Sequence, residues 1–388
     1  MGQQTDHFEL RESSRPAFEA GVESLTLVDL FAGCGGLTLG AAQAAASLGM
    51  AVAIKLAVDL EPAATAVYAK NFTKANVETA SIDDFFDGEL GAPLTALERA
   101  TKRLVGTVDL LIGGPPCQGH SSLNNHTRRD DPKNALYARM ARAAEVLRPK
   151  FVLIENVPSV RHDIAGVVDT TRGSLEANGY AVADRTVSLH ALGVAQRRKR
   201  HILLASCISS LDPNVILDSI ASRTPDAARN LRWAIGDLEN LEDPTGYDTP
   251  PRANAENLRR MNYLLDHGIF DLPNSERPKC HQSAHSYKSM YGRLNWDLPA
   301  QTITSGFGSI GQGRYMHPSR ARALTPHEAA RLQGFPDYFD FSAITKRGAL
   351  ATMIGNAVPP ALAREIGVEL IRHLDGSHNA AEGMQRAS

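Results

Sequence analysis

The stretch Leu25-Thr-Leu-Val-Asp29-Leu-Phe31-Ala-Gly33-Cys-Gly35-Gly36-Leu37 decides how the rest of the chain is read. Its first half is apolar and suited to a buried strand, and its second half is rich in glycine. An Ala-rich helical stretch, Leu37 to Leu48, follows. A strand, a glycine turn and a helix in this order open a doubly wound α/β sheet. The glycines let backbone approach a ligand, and the helix start offers free N–H groups.

Working outward, Ala51 to Val58 reads as a second strand, and Asp59 at its end is placed to accept hydrogen bonds from ribose hydroxyls. Thr38 stands where the dinucleotide fingerprint has its third glycine. An adenosyl ligand, which has no pyrophosphate, suits this turn better than a nicotinamide dinucleotide. Pro62 opens a helix, Val108 to Gly114 is a third strand, and Phe151 to Asn156 is a fourth. Ala135 to Leu147 between them is helical in pattern. The alternation predicts a parallel sheet.

The pattern changes after Cys207. From Leu211 the chain is rich in Pro, Asn, Asp and His, with one clear helix near Ala255 to Leu265. The α/β character returns near Thr345 and ends in a helix from about Pro359 to Leu374. The expected organisation is a discontinuous α/β domain at 24–210 plus 345–375, a separate irregular module at 211–344, and polar tails at 1–23 and 376–388.

Composition sets the outer limits. The chain has 388 residues, 43% of them hydrophobic and 22% charged, which suits a globular protein with a large core. A formal net charge of -2 gives no whole-chain signal for nucleic acid, so such binding must rely on local basic runs. Arg197-Arg198-Lys199-Arg200, Arg128-Arg129 and the arginines from Arg314 to Arg322 are the candidates, although most basic runs are simply solvated. Four scattered cysteines form neither a disulfide framework nor a CxxC pair, and no membrane-length apolar run is present. These features predict a cytoplasmic protein that makes no membrane contact.

Gly113-Gly-Pro-Pro-Cys117-Gln-Gly-His-Ser-Ser122 follows the third strand. A lone cysteine is usually inert core material. Here two prolines stiffen the approach and glycines flank it, which is poor core material but a good setting for a reactive thiol.

With these residues in view, the chain resembles the DNA cytosine-C5 methyltransferases. Pro-Pro-Cys117-Gln118 is the mark of their nucleophile loop. The other motifs follow in family order: Asp29 to Gly36, Asp59, Glu155-Asn156-Val157 and Gln196-Arg-Arg198-Lys-Arg200. Arg293 to Thr304 with Pro299-Ala-Gln-Thr-Ile-Thr, Ala329 to Pro336 and Gly355-Asn356-Ala-Val358-Pro complete the series, which covers roughly residues 25 to 374. Any one motif could be chance, but seven in order are not.

The resemblance implies an α/β fold: a Rossmann-like S-adenosylmethionine-dependent methyltransferase domain with an inserted smaller target-recognition domain. It implies Cys117 as the nucleophile at cytosine C6, Glu155 as the acid near N3, and Gln196, Arg198 and Arg200 around the base. In a strand-like segment the last three would share one face. Phe31, Gly33, Gly35, Asp59, Leu136, Asn356 and Val358 match the family's positions for S-adenosylmethionine. Gln118, Ser121, Ser122 and Arg314 are candidate DNA contacts. Double-stranded DNA is the implied partner, bound by a monomer, with a companion restriction endonuclease acting separately in a restriction-modification system. Base flipping is implied because C5 is inaccessible in a stacked duplex.

Ser81 departs from the pattern. Many members carry an aspartate there that touches the adenine amino group, and Asp83 and Asp84 are its nearest substitutes. No metal is expected, because Cys280 with His281 and His285 lacks a second pair of ligands. Within the same chemistry the rival is a tRNA cytosine-C5 methyltransferase, which has a more compact inserted module. A catalytically silent nucleic-acid-binding relative would not need Cys117, Glu155 and Arg198. An oxidoreductase would leave the Pro-Pro-Cys-Gln loop unexplained.

Overall fold

The computed structural model describes residues 10–116, 135–163, 166–240, 246–282 and 289–385. In chain order the strands are β1 (Ser24–Leu30), β2 (Ala51–Asp59), β3 (Val77–Thr79), β4 (Leu110–Gly113), β5 (Phe151–Asn156), β6 (Ala181–Ser188), β7 (Gln196–Arg197), β8 (Lys199–Ser206) and β9 (Ala300–Gln301). The helices are α1 (Gly36–Ser47), α2 (Pro62–Asn71), α3 (Ala96–Val105), α4 (Ala135–Leu147), α5 (Val167–Ala177) and α6 (Pro213–Ala221), followed by α7 (Leu231–Ile235), α8 (Ala255–Asp266), α9 (Pro326–Leu332), α10 (Arg347–Asn356) and α11 (Pro360–Gln385).

The chain divides into two compact units. The larger comprises residues 16–192, 199–224 and 358–388 and is built on a sheet of order β3-β2-β1-β4-β5-β8-β6. Strands β1 to β5 are parallel neighbours in that order, as the alternation of strands and helices predicted. β8 runs antiparallel to both β5 and β6, which departs from the all-parallel expectation. The ten residues between β6 and β8 are too few for the helical crossover that a parallel pair needs. The strand order reverses beside β1 and β4, which marks the carboxyl ends of these strands as the ligand crevice of such a sheet.

Every residue of β5 is buried, as expected for a strand covered on both faces. A core of Val28, Leu30, Leu56, Val58, Leu111, Met140, Val152 and Ile154 lies under helices α4 and α5. Helix α1 explains its own composition. It packs along α11, and a Cβ at Gly40 would lie 2.0 Å from the Pro360 carbonyl oxygen. One at Gly367 would lie 2.9 Å from the Ala44 Cβ. Small residues are needed because the two backbones approach closely.

The smaller unit comprises residues 1–15, 193–198 and 225–357. It is wider than the 211–344 region expected from sequence. Helix α6 packs on β6 and falls in the larger unit, while α10 falls in the smaller. Its core gathers Met261, Leu264, Leu272, Tyr291, Ile310, Met316 and Ala323. Regular structure is sparse, so side chains supply much of the order. Arg331 donates to Asp337 and Asp237, Arg11 donates to Asp237, and His327 lies between Asp337 (2.9 Å) and Asp248 (2.6 Å).

The polar ends differ from expectation. Leu10 and Phe18 are buried, and their carbonyl oxygens accept from Asp337 N–H and Val52 N–H, although most residues between them and up to Ser24 are exposed. Helix α11 runs to Gln385, past the point where sequence suggested a polar tail.

Candidate active site

At the end of β1 the backbone turns sharply. Phe31 has φ 57°, a value rare for a bulky residue, followed by Gly33 at φ 54° and Gly35 at φ 92°. The turn is held by Ala32 N–H on the Val58 carbonyl (3.0 Å) and Gly33 N–H on Asp59 Oδ2 (2.8 Å). Asp59 Oδ1 accepts from Glu61 N–H at 2.9 Å. Burial raises the Asp59 pKa, and the N–H groups of Glu61 and Gly33 oppose that rise. Phe31, Ala80, Phe85 and Leu136 all lie, half-buried, on the rim of the core cluster.

Beneath the glycine turn lies a buried polar group whose pairing the sequence did not show. Asp29 Oδ2 accepts from the Thr38 hydroxyl at 2.6 Å, and that hydroxyl lies 2.7 Å from the Tyr68 hydroxyl. Asp29 Oδ1 is buried with no hydrogen-bond partner among the described residues. Burial pushes the Asp29 carboxyl up to about 8, although the Thr38 hydrogen bond pulls it down. Thr38, which breaks the dinucleotide pattern, is therefore the hydrogen-bond partner of the strand's acidic residue.

At the ends of β4 and β5 the second group of candidates converges. Glu155 is buried, and its Oε1 lies 2.5 Å from Arg200 Nε on β8. Its other oxygen faces Gly114, where a Cβ would come within 3.3 Å of Glu155 Oε2 and 3.7 Å of Val358 Cγ2. Gly114 thus leaves open the space between the carboxylate and Val358. Asn156 donates from Nδ2 to the Pro115 carbonyl at 3.2 Å and accepts from Val157 N–H at 2.7 Å. It therefore holds the chain just ahead of Cys117. Cys117, Gln118, Ser121 and Ser122 lie outside the described residues.

Comparison with known proteins matches this arrangement to a family. The model of the C-5 cytosine-specific DNA methylases matches residues 25–372. The chain belongs to that family. It is 45% identical over 365 residues to the Type II methyltransferase M1.BsuMI of Bacillus subtilis strain 168, covering 94% of this chain and 84% of that one. It is 31% identical to the Type II methylase M.HgiDII of Herpetosiphon aurantiacus, with 91% and 96% covered. The fold is similar to that of the S. pombe Dnmt2 methyltransferase, with a TM-score of 0.62 and 17% identity over 91% of this chain and 99% of that one.

This DNA (cytosine-5-)-methyltransferase thus has the Rossmann-like fold that its motifs implied. Family membership implies S-adenosylmethionine as the methyl donor. The glycine turn and the Asp59 carboxylate are chemically suited to an adenosyl group. Among the described residues no helix is long and apolar enough to cross a membrane.

Gln196, Arg198 and Arg200 do not share one strand as expected. Gln196 is in β7, paired with β9, and Arg200 is in β8, with Arg198 at the break between them. The alternation persists, with Gln196 and Arg198 buried and Arg197 and Lys199 exposed. Gln196 Nε2 donates to the Leu332 carbonyl (2.8 Å) and to Gln333 Oε1 (2.6 Å), and its Oε1 accepts from Ile303 N–H (3.1 Å). Arg198 donates to the carbonyls of Ile303 and Gly355 at 2.9 Å and 3.3 Å. These two side chains tie the late motifs together within the smaller unit. Asn356 is exposed in that unit, whereas Val358 belongs to the larger.

Arg314 is also engaged internally, donating to the carbonyls of Phe270 and Arg293 and pairing with Asp271. The glycine-rich loop before it buries Phe307 and Ile310. Ser81 caps a short 3-10 turn, Ile82–Asp84, with its hydroxyl accepting from Asp83 N–H (3.3 Å) and its own N–H donating to Asp84 Oδ2 (3.0 Å).

Proposed function

We propose that this enzyme methylates C5 of a cytosine flipped out of a specific duplex sequence, through a covalent Cys117–C6 adduct, and so protects host DNA in a restriction-modification system. The observation that carries this reading is the Glu155–Arg200 pair beside Gly114, with Asn156 holding the carbonyl two residues before Cys117.

Cytosine C5 is too weak a nucleophile to take a methyl group directly. The Cys117 thiolate adds to C6, and the ring gains electron density that C5 can use. Glu155 is the acid at N3, acting through Oε2, the oxygen turned toward Gly114, as charge builds on the ring. Arg200 keeps the Glu155 side chain in place through Oε1. Gln196 and Arg198 brace the backbone that leads into Arg200. After C5 takes the methyl group it loses its proton, the C6–S bond breaks, and Cys117 leaves with the bonding electrons.

S-adenosylmethionine supplies an electrophilic methyl group when bound. Phe31, Gly33, Gly35, Asp59, Leu136, Asn356 and Val358 are the residues to hold it, with the Asp59 carboxylate accepting from the ribose hydroxyls. Gln118, Ser121 and Ser122 are positioned in sequence to meet the vacated stack and backbone, and Arg314 is the candidate DNA contact of the smaller unit. The enzyme acts as a monomer in the cytoplasm, with an endonuclease of the same sequence specificity as its separate counterpart.

The test is an oligonucleotide duplex carrying 5-fluorocytosine at the target, where loss of the C5 substituent is blocked. A covalent complex is expected with the wild-type enzyme and none with Cys117→Ala. A wild-type enzyme that methylates DNA but forms no complex would overturn the thiol adduct. Bisulfite sequencing of DNA from expressing cells gives the target sequence. Methylation confined to RNA would replace this reading with the tRNA one.

A further inference from the structure

Two arginines on one face of α4 reach across to the connection that follows β3. Arg142 is fully buried and grips Glu98 with two hydrogen bonds, Nε to Oε1 at 2.7 Å and Nη2 to Oε2 at 2.6 Å. It also donates to the carbonyls of Ala92 and Pro93. Glu98 in turn accepts from Gly88 N–H and Thr95 N–H, so all four groups lock one stretch of loop against the helix. Three residues earlier, Arg139 places Nε 2.9 Å from Asp83 Oδ1 and donates from Nη1 to the Gly88 carbonyl at 2.8 Å.

Asp83 belongs to the 3-10 turn capped by Ser81, and that turn stands at the carboxyl end of β3. Ala80 N–H donates to the Asp59 carbonyl, so the turn is bonded directly to the end of β2. Phe85, at the end of the turn, shares the rim of the core cluster with Phe31 and Leu136. The turn is thus a wall of the crevice assigned above to the donor, and α4 carries both Leu136 and the arginine that holds that wall.

We propose that Arg139 is a positioning residue for the methyl-donor site, setting the Ser81–Asp84 turn against the adenosyl group through its ion pair with Asp83. This rests on the donor reading given above. Arg142 and Glu98 supply the rigid base, because a buried bidentate pair fixes the register of the loop on the helix. Arg139 does the local work. Its fork reaches both ends of the Asp83–Gly88 segment, which a single point charge would not do. It also neutralises an aspartate that would otherwise stand as a free anion at the crevice edge.

The experiment measures binding of S-adenosylhomocysteine by calorimetry, together with steady-state kinetics, in the full-length enzyme. Arg139→Ala and Asp83→Ala should each weaken binding about threefold to tenfold, the scale of one lost hydrogen bond or ion pair. KM for the donor should rise by a similar factor, with kcat and KM for DNA within about twofold. The double variant should match Arg139→Ala, which removes the Asp83 pair together with the Gly88 hydrogen bond, and Asp83→Ala should lose no more than that. Asp83→Asn keeps an acceptor and should stay close to wild type, and Arg139→Lys should fall between.

Unchanged product binding in both alanine variants, with only a lower melting temperature, would overturn the proposal. So would losses that add in the double variant. If Arg139→Ala fails to fold, Asp83→Ala on the exposed turn decides the question by itself. Failure of the wild-type enzyme to bind S-adenosylhomocysteine would instead remove the donor reading on which the proposal stands.

Discussion

Arg200 Nε lies 2.5 Å from Glu155 Oε1, and the two side chains come from adjacent antiparallel strands of the larger unit. Both are largely buried, so each is the other's main compensation for lost hydration. The pairing leaves Oε2 of Glu155 as the oxygen available to a base. Glu155→Gln should lower kcat by about 10²- to 10⁴-fold, the range for a lost general acid, with donor KM near wild type. Single-turnover methylation of a hemimethylated or unmodified duplex measures this. Activity within a few-fold of wild type would remove Glu155 from the acid role. Arg200→Lys keeps the charge but loses the Nε contact, so its activity should fall between wild type and Glu155→Gln.

Asp59 binds the glycine turn from below through Gly33 N–H and the start of α2 through Glu61 N–H. Asp59→Ala removes both of these bonds and the acceptor offered to the ribose. Each hydrogen bond to a charged group is worth about 1.5–3 kcal/mol, so S-adenosylhomocysteine binding should weaken at least about tenfold. Calorimetric affinity within twofold of wild type would show that the donor does not use this carboxylate.

Asp29 makes stability depend on pH with a definite sign. Its folded-state value of about 8 stands above the ordinary 3.8, so the folded protein holds a proton there that the unfolded chain has released. Stability from this group is fully present below pH 3.8 and declines as pH rises toward about 8. Asp29→Asn removes the titration and keeps an acceptor for the Thr38 hydroxyl. The variant should gain on wild type steadily across that window and hold a constant advantage above it. Urea unfolding of both proteins at several pH values measures the difference, and a difference that does not change with pH would contradict the buried, protonated carboxyl.

Gly40 lies where α1 and α11 touch. A Cβ there meets the Pro360 carbonyl oxygen at 2.0 Å, and a backbone atom cannot swing aside as a side chain can. Gly40→Ala should cost about 1–3 kcal/mol or more through helix separation. Gly348, near the start of α10, has nothing within 4 Å of its built Cβ and serves as the control. Gly348→Ala should be neutral or stabilising by up to about 1 kcal/mol. Equal melting temperatures for the two variants would contradict the close packing.

The glycine turn, Asp59 and the Glu155 strand end were legible because each combines a strong local pattern with residues poorly suited to any other place. Asn156 was visible only as a motif member, since its bond to the Pro115 carbonyl spans residues far apart in sequence. Asp29 and Thr38 were visible as parts of the glycine-turn motif, but nothing local showed that they bond to each other or to Tyr68, because only burial brings their hydroxyl and carboxyl groups together. Gln196 and Arg198 illustrate the opposite limit. Their alternation was read correctly, but the break between β7 and β8 assigns them to the smaller unit and Arg200 to the larger.

By itself, the sequence determined the α/β class, the order of the motifs and the family, because periodicity and fixed short spacings are properties of the chain read locally. Only the tertiary structure decided the antiparallel β8, the limits of the two units, the pairing of Arg200 with Glu155 and the hold of Arg139 on Asp83. Those depend on which residues distant in sequence are brought within a few ångströms. Burial and hydrogen-bond satisfaction across the sheet settle that, and no local pattern encodes it.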